Sequence, residues 1–503
     1  MKSLEKICNY FLKYSLLVIF LFLVPISFFF TQRCGKEALG EIVNFVPIYN
    51  IPDSLLPHLA GLAFTALLFL AVIRFRPVFS PVAVKIFQTA ISCLTGILGF
   101  LILNGGTRTP NADQIQVYNA ALCFNENNFI NLSPGGYIEM YPQQLGYVLY
   151  LQLLLKLFPD AGFRIIQLVN CLFIAGTVFF ACLLLNDFTQ NRAVQIIGTL
   201  FWPFFLPLAL LSSWVYGDIP FFCLAFAAIH FFILSWRTEK KSYFFLTAAA
   251  TALSILFRKN TLILLLAMAI VALVCVIVKK KYRILPYVLL ICLCPLCVST
   301  LVEKHYETVS EYEIQGIPSI AWIAMGSLER GSTPGWFNNF SVPLYYSLGY
   351  DSKQTASAAK QTLQEQVHYF AENPGYAASF LKRKICTQWN DPYFNTNFLI
   401  SVDEGIEPTG LSAWLEKYQD NLLVFLSVFQ NIIYLGALLY VFFFTSKTPF
   451  SRRILEVMIL GGFLFSLIWE ANSRYVMIYF LLMFPMAACG YEALAEKLLH
   501  KTS

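Results

Sequence analysis

The sequence predicts an all-α polytopic membrane protein with about twelve transmembrane helices and an α-rich extracytoplasmic loop domain. Three observations carry that prediction. The 503 residues are 58% hydrophobic and only 13% charged, against roughly 25% charged in soluble domains. Apolar runs of about 18–22 residues recur along the chain, each long enough to cross ~30 Å of hydrocarbon. Lys and Arg sit mainly in alternate loops, as the positive-inside rule expects.

The first run, YSLLVIFLFLVPISFFF, follows Lys2, Lys6 and Lys13. It exceeds the usual apolar region of a signal peptide, and TQRCG, not a small-x-small site, comes next. An uncleaved span is expected. Further spans are expected near 55–73, 86–103, 164–185, 194–212, 219–236, 243–257, 260–278, 284–301, 421–444, 453–470 and 475–494. With the N-terminus inside, cytoplasmic segments take about 19 of the Lys and Arg residues and the short outer segments roughly eight. Both termini are therefore expected in the cytoplasm of a cell-membrane protein.

That orientation divides the chain into three N-terminal spans (1–104), a membrane core (105–301) opened by an outer loop at 105–163, an extracytoplasmic loop domain (302–420) and three C-terminal spans (421–503). The outer loop offers two surface helices, near 113–124 and 142–158. In the loop domain DSKQTASAAKQTLQEQVHYFAEN reads as helix, and Asn373-Pro374 reads as the cap and first turn of another running toward Trp389. About nine of the cysteines lie in apolar runs, where Cys acts as a small hydrophobe. Cys34, Cys123 and Cys386 lie outside them, at spacings that suit neither a disulfide framework nor a zinc site. The net charge of +6 reflects cytoplasmic anchoring and points to no nucleic acid.

Four polar clusters fall at the outer boundary. Asp113 opens the first outer loop, Tyr216-Gly217-Asp218 ends the fifth span, Arg258-Lys259-Asn260 joins spans seven and eight, and WEANSRY, with Glu470 and Arg474, joins spans eleven and twelve. Singly, each has a structural explanation. Asp113 with Gln116 resembles a capping box, and Asp218 precedes Ile219-Pro220 as a cap would. Arg258 and Lys259 suit snorkelling to headgroups, and Glu470 with Arg474 suits an interfacial ion pair. Together they suit transfer of a group from a lipid phosphate. Arg258, Lys259 and Arg474 supply cations for phosphate oxygens, and such cations stabilise the charge that grows on a leaving phosphate. A carboxylate, with Asp113 the candidate, accepts the proton of an incoming hydroxyl. Neither a P-loop nor a strand-embedded G-x-G-x-x-G is present, so a lipid-borne donor fits better than a nucleotide.

In their order along the chain, Asp113, YPQQLGYVLYLQLLLKLF (Tyr141 to Phe158), YGD, RKN and SRYVMIYFLLMFP resemble a family. The resemblance is to GT-C glycosyltransferases of the branch holding protein O-mannosyltransferases and bacterial aminoarabinose and lipid A-linked sugar transferases. It covers about residues 105–300 and, less closely, the final spans. It implies inverting transfer from a polyprenyl-phosphate-linked sugar, with Asp113 as base, Asp218 as second acidic residue, and Arg258 and Lys259 at the lipid phosphate. Tyr141, Gln143 and Gln144 are candidate partners for sugar hydroxyls, and Tyr216 and Glu470 join them as candidate sugar or acceptor contacts. Trp214, Trp336 and Trp389 offer aromatic faces to a sugar, although Trp at this boundary usually anchors the membrane. QGIPSIAWIAMGSLERGSTPGWFNN resembles outer-loop sequence of Gram-positive members without assignable roles.

Two departures stand out. Two extra spans precede the first-loop acid, and Gln114 stands where a second acid usually follows. A divalent metal is compatible with the resemblance but unsupported by the residues, and the five histidines show no metal-ligand spacing. No cofactor is assigned. The expected partners are the lipid-linked donor, an acceptor that is a cell-envelope glycan, glycolipid or protein, and membrane lipids. Two rivals remain open at this point. A flippase or transporter of lipid-linked sugars would favour ionisable groups near the bilayer midplane. An O-antigen-ligase-like or polymerase enzyme using diphosphate-linked glycans would not need Asp113.

Overall fold

The computed structural model describes residues 2–34, 48–75, 77–329, 333–443 and 449–500. Of the basic residues that orient the chain, Arg76, Lys447 and Lys501 lie outside the described residues, as do residues 330–332. The described residues form twenty-one α-helices and a two-stranded ribbon. First come α1 (Lys2–Phe29), α2 (Leu55–Phe75) and α3 (Pro81–Asn104), then the shorter α4 (Asp113–Asn125), α5 (Tyr137–Met140) and α6 (Leu145–Leu157). The middle of the chain holds α7 (Phe163–Phe188), α8 (Arg192–Phe204), α9 (Leu206–Leu210), α10 (Asp218–Thr238), α11 (Lys241–Phe257), α12 (Thr261–Lys279) and α13 (Leu285–Ser310). Next are α14 (Ser319–Ser327), α15 (Ser341–Ser347), α16 (Ser352–Glu372), α17 (Pro374–Trp389) and α18 (Gly410–Lys417). The chain closes with α19 (Gln419–Phe443), α20 (Ile454–Ile468) and α21 (Ser473–His500).

A helix lies at each of the twelve expected runs, but the described residues include only nine long and apolar enough to cross a bilayer: α1, α2, α3, α7, α10, α12, α13, α19 and α21. The pair α8–α9 makes a tenth if counted as one span, bent by 53°. Pro203 inside α8 and Pro207 at the start of α9 explain the bend, because each ring removes a backbone donor. The other two, α11 and α20, have 17 and 15 residues. At 1.5 Å per residue the shorter reaches about 22 Å, less than the hydrocarbon thickness. The chain is a multi-pass membrane protein, nearly all-α.

A ribbon departs from the all-α expectation. β1 (Phe30–Cys34) pairs antiparallel with β2 (Ile48–Pro52), joining the end of α1 to the start of α2. Tertiary bonds hold it: the Thr31 hydroxyl donates to Asp53 Oδ2 at 2.7 Å, and the Gln32 N–H donates to the Asn390 carbonyl at 3.1 Å.

Burial decides which helices are central. In α10 and α21, 89% and 83% of the apolar window is buried, against 22% in α2 and α13. Exposed Phe64, Leu67, Leu293 and Leu301 line the outer pair, a surface suited to lipid. The two central helices carry Asp218 and Arg474 in their first turns. A second, smaller apolar core, with Ile317, Trp322, Phe340 and Tyr345, lies after α13 and packs on Tyr141 and Trp469. Both α16 and α17 form where expected, α16 capped by Asp351, whose carboxylate accepts from the Lys353 and Gln354 N–H groups.

Close packing of α19 on α21 depends on glycines, as is common between membrane helices. A Cβ at Gly490 would stand 1.9 Å from the Gly436 carbonyl oxygen, whereas one at Gly461 would meet only a side-chain methyl at 3.4 Å. Gly490→Ala is expected to destabilise by about 1–3 kcal/mol, as overpacking does. Gly461→Ala is the near-neutral control, and thermal unfolding in nanodiscs compares the two.

Candidate active site

The chain leaves α3 through a loop fixed by Arg108, which donates from Nε to the Leu399 carbonyl at 2.7 Å and from Nη2 to the Ile400 carbonyl at 2.9 Å. Next, Ala112 adopts φ +45°, an uncommon conformation for a residue with a Cβ. Asp113 is therefore the first residue inside α4, and Ala112 takes the cap position. The capping explanation of Asp113 falls away. Its side chain is exposed and, among the described residues, has no hydrogen-bond or ion-pair partner.

Gln114 follows, buried. Its Oε1 accepts from the Val215 N–H at 2.7 Å, and its amide donates to Asn111 Oδ1 at 3.0 Å. The residue that stands where a second acid is usual thus fastens the start of α4 to the Tyr216-Gly217-Asp218 loop. Sequence reading missed this because an amide reveals no partner 101 residues away.

On its other side the loop is held by α7. The Gln167 amide donates to the Ser213 carbonyl at 3.2 Å, and the Asn170 amide donates to the Trp214 carbonyl at 2.9 Å. These side chains satisfy backbone freed where α8–α9 breaks, as a membrane interior requires. Gly217 is needed for proximity, since a Cβ there would lie 2.2 Å from the Phe257 carbonyl oxygen. The start of α10 can then abut the end of α11, which brings Asp218 to Arg258.

Asp218 is buried, and both of its oxygens are engaged. Arg258 Nη2 donates to Oδ1 at 2.6 Å; Arg474 Nη1 and Trp214 Nε1 donate to Oδ2 at 2.7 and 2.9 Å. The Arg474 guanidinium lies 4.7 Å from the Trp214 ring centre, and that of Arg258 lies 5.1 Å from Tyr216, distances that favour cation–π attraction. Two cations on one anion leave a net positive charge. The Arg474 Nε–H, also buried, has no acceptor among the described residues.

Around Tyr216 the aromatic wall closes. Its hydroxyl accepts from the Gln144 amide at 2.6 Å and lies 3.5 Å from the Tyr137 hydroxyl. Among the described residues Gln144 Oε1 and the Tyr147 hydroxyl are buried without partners, groups that call for a ligand or water. Burial foremost, with the Asp113 charge adding to it, raises the phenols of Tyr137, Tyr141 and Tyr216 above the ordinary 10.0. The Asp113 field reaches Arg474 and Glu470 as well. Glu470 is half-buried and pushed up to about 7, first by burial and then by Asp113, against the pull of Arg474, Arg258 and Lys384.

Lys384 was not foreseen. It is fully buried on α17, donates to the Gly326 carbonyl at 2.5 Å, and is lowered to about 7 by burial, with Glu470 opposing. Its position four residues after the buried Phe380 placed it on the inward helix face, a signal the cationic type obscured.

Other candidates diverge. Lys259 turns from Asp218 toward α13, donating to Ser299 Oγ at 2.5 Å. Gln143 is half-buried and makes no hydrogen bond among the described residues. Tyr141 packs against Trp322 with ring centres 5.6 Å apart. Trp214, Trp336 and Trp389 are all buried, so none presents an open face to a sugar. Among the described residues no three of His, Cys, Asp or Glu form a metal-ligand group, and Asp218 is already occupied by arginines. No protein-family model matches the chain, and no curated protein matches it either.

Asp218→Ala leaves two guanidiniums buried without their anion and is expected to remove about 3–5 kcal/mol of stability, read as a lower thermal midpoint. Asp113→Asn, at an exposed and unpaired position, is expected to leave that midpoint in place. The pH dependence of the midpoint tests Glu470 and Lys384. The raised Glu470 withdraws stability as pH rises from its ordinary 4.5 to about 7, and the lowered Lys384 withdraws it as pH falls from its ordinary 10.5 to about 7. Their joint contribution is a minimum near neutrality, which the double variant Glu470→Gln/Lys384→Met is expected to flatten.

Proposed function

We propose that this chain is an integral membrane glycosyltransferase that moves a sugar from a polyprenyl-phosphate donor to an extracytoplasmic hydroxyl with inversion. The observation that carries the reading is the division of labour between two carboxylates. Asp218 is buried and holds Arg258 and Arg474, while Asp113 is exposed and unpaired within electrostatic reach of Arg474. The family resemblance named Asp113, Asp218 and Arg258 in the same order; its other cation, Lys259, turns to Ser299, and Arg474 stands in its place.

In this reading Asp113 takes the proton of the acceptor hydroxyl. The acceptor oxygen bonds to the anomeric carbon as the bond from that carbon to the phosphate oxygen breaks. The bonding pair leaves on the phosphate, whose growing charge is stabilised by the surplus positive charge of the arginine pair. The unsatisfied Arg474 Nε–H supports such an oxygen as its acceptor. Tyr216, Tyr137 and Gln144 line the approach as sugar-contacting groups, and Glu470 contacts the acceptor. Lys259, held by Ser299, is left out of the phosphate site. In the same reading α11, α20 and the bent α8–α9 pair complete about twelve crossings, both termini lie in the cytoplasm, the Asp218 end faces outward, and residues 302–420 form the outer loop domain.

The test incubates the purified protein in nanodiscs with a set of polyprenyl-phosphate sugars and an acceptor extract, and measures free lipid phosphate. Release of lipid phosphate is expected, lowered by about 10²-fold or more in Asp113→Asn, since a positioned base contributes that much. Arg258→Ala is expected to weaken donor use. Movement of intact donor across the bilayer without release, or near wild-type release by Asp113→Asn, overturns the reading.

A further inference from the structure

At the far end of α4 from Asp113, a cavity of about 670 Å³ opens between the loop after α4, α6 and the last turns of α13. Ten residues of α4 lie between Asp113 and Phe124 at the cavity wall, a rise of about 17 Å at 1.5 Å per residue. The Asp218 cluster contributes no residue to this cavity. Its volume lies in the range of small-molecule sites, roughly 300–1,000 Å³.

The lining differs in chemistry from the arginine cluster. Phe129 and Tyr306 supply aromatic surface, and Asn127 and Asn128 supply amides. Lys156 and Glu311 oppose one another in charge, so the lining carries no strong surplus for an anion. The floor is braced: the Tyr306 hydroxyl donates to Gln152 Oε1, the Gln152 amide donates to Asn125 Oδ1 at 3.3 Å, and Phe124 packs tilted against Tyr306 with ring centres 5.3 Å apart. Asn127 and Glu311 both stand in the left-handed region, at φ +57° and +60°, so tight turns define the rim. Among the described residues the Asn127 amide makes no hydrogen bond. Braced aromatic surface with the Asn127 side-chain amide and near-neutral charge suits a ligand with apolar ring faces and many hydroxyls; Asn128 Oδ1 already accepts from the Ile130 N–H at 3.1 Å. Exposed Ile130, Leu153 and Val309 add an apolar lip.

We propose that this cavity is a saccharide-binding subsite that holds the glycan of the acceptor at a distance from its reacting end, with α4 as the spacer to Asp113. The acceptor role rests on the glycosyl-transfer reading; saccharide binding itself does not. Charge also separates the two sites, the anionic donor going to the arginines and the neutral glycan to the amides.

The experiment uses the full chain in nanodiscs, free of sugar-headed detergent, and measures binding of maltotetraose and chitotetraose by saturation-transfer NMR. At least one is expected to bind. Asn127→Gly keeps the left-handed turn while removing the amide, and Val309→Glu charges the lip at an exposed position. Each is expected to weaken binding about tenfold, the size of a lost hydrogen bond or a misplaced charge. Asp113→Asn is expected to leave binding as it was. The subsite is overturned if neither tetrasaccharide binds, if both variants bind like wild type, or if a C55 polyprenyl phosphate displaces the bound saccharide. Saccharide binding without any lipid-phosphate release would sink the transfer reading and leave the subsite standing. Release without saccharide binding would do the reverse.

Discussion

The double ion pair at Asp218 organises one end of the helix bundle. Removing charged groups from water is expensive, by several kcal/mol per ion, unless partners and hydrogen bonds replace the water. Here Arg258, Arg474 and the Trp214 indole fill both carboxylate oxygens. Because those groups come from the end of α11, the start of α21 and the turn before α10, one carboxylate fixes three helix ends at the same level. Tyr216 follows from that placement, and Gln144 and Tyr137 follow from Tyr216. Gln114 then brings α4, and Asp113 with it, to the edge of the cluster.

Environment gives the acidic groups different roles. Asp218 has two cationic partners and is committed to holding them. Asp113 is exposed and uncommitted, so its charge is available to chemistry and felt by the phenols and Glu470 around it. Glu470 lies between these extremes, disfavoured by burial yet faced by Arg474, Arg258 and Lys384. The glycine at 217 is part of the same design, since any side chain would prise α10 from α11 and part Asp218 from Arg258.

Much of this was legible in the chain. Apolar runs of the right length showed a multi-pass membrane protein, and each run became a helix because hydrocarbon forces backbone groups to pair within the segment. Asp113, Asp218, Arg258 and Arg474 were legible as polar groups stranded at the ends of such runs. Length was less informative: α11 and α20 are apolar but short, and two prolines turned the expected fifth span into a bent pair. The β1–β2 ribbon escaped notice because its bonds run to Asp53 and Asn390 rather than to a local pattern.

The sequence by itself determined the solvent this protein folds in, the helices that result, and which charged residues fall at their ends. Those follow from local hydropathy and spacing, which need no knowledge of neighbours. Only the tertiary structure decided who pairs with whom: that both arginines share Asp218, that Lys259 turns aside to Ser299, that Gln114 is a staple and that Lys384 is buried beside Gly326. Each depends on which faces of distant helices meet, and in the low dielectric of a packed interior a partner a few ångströms away outweighs the identity of the residue itself.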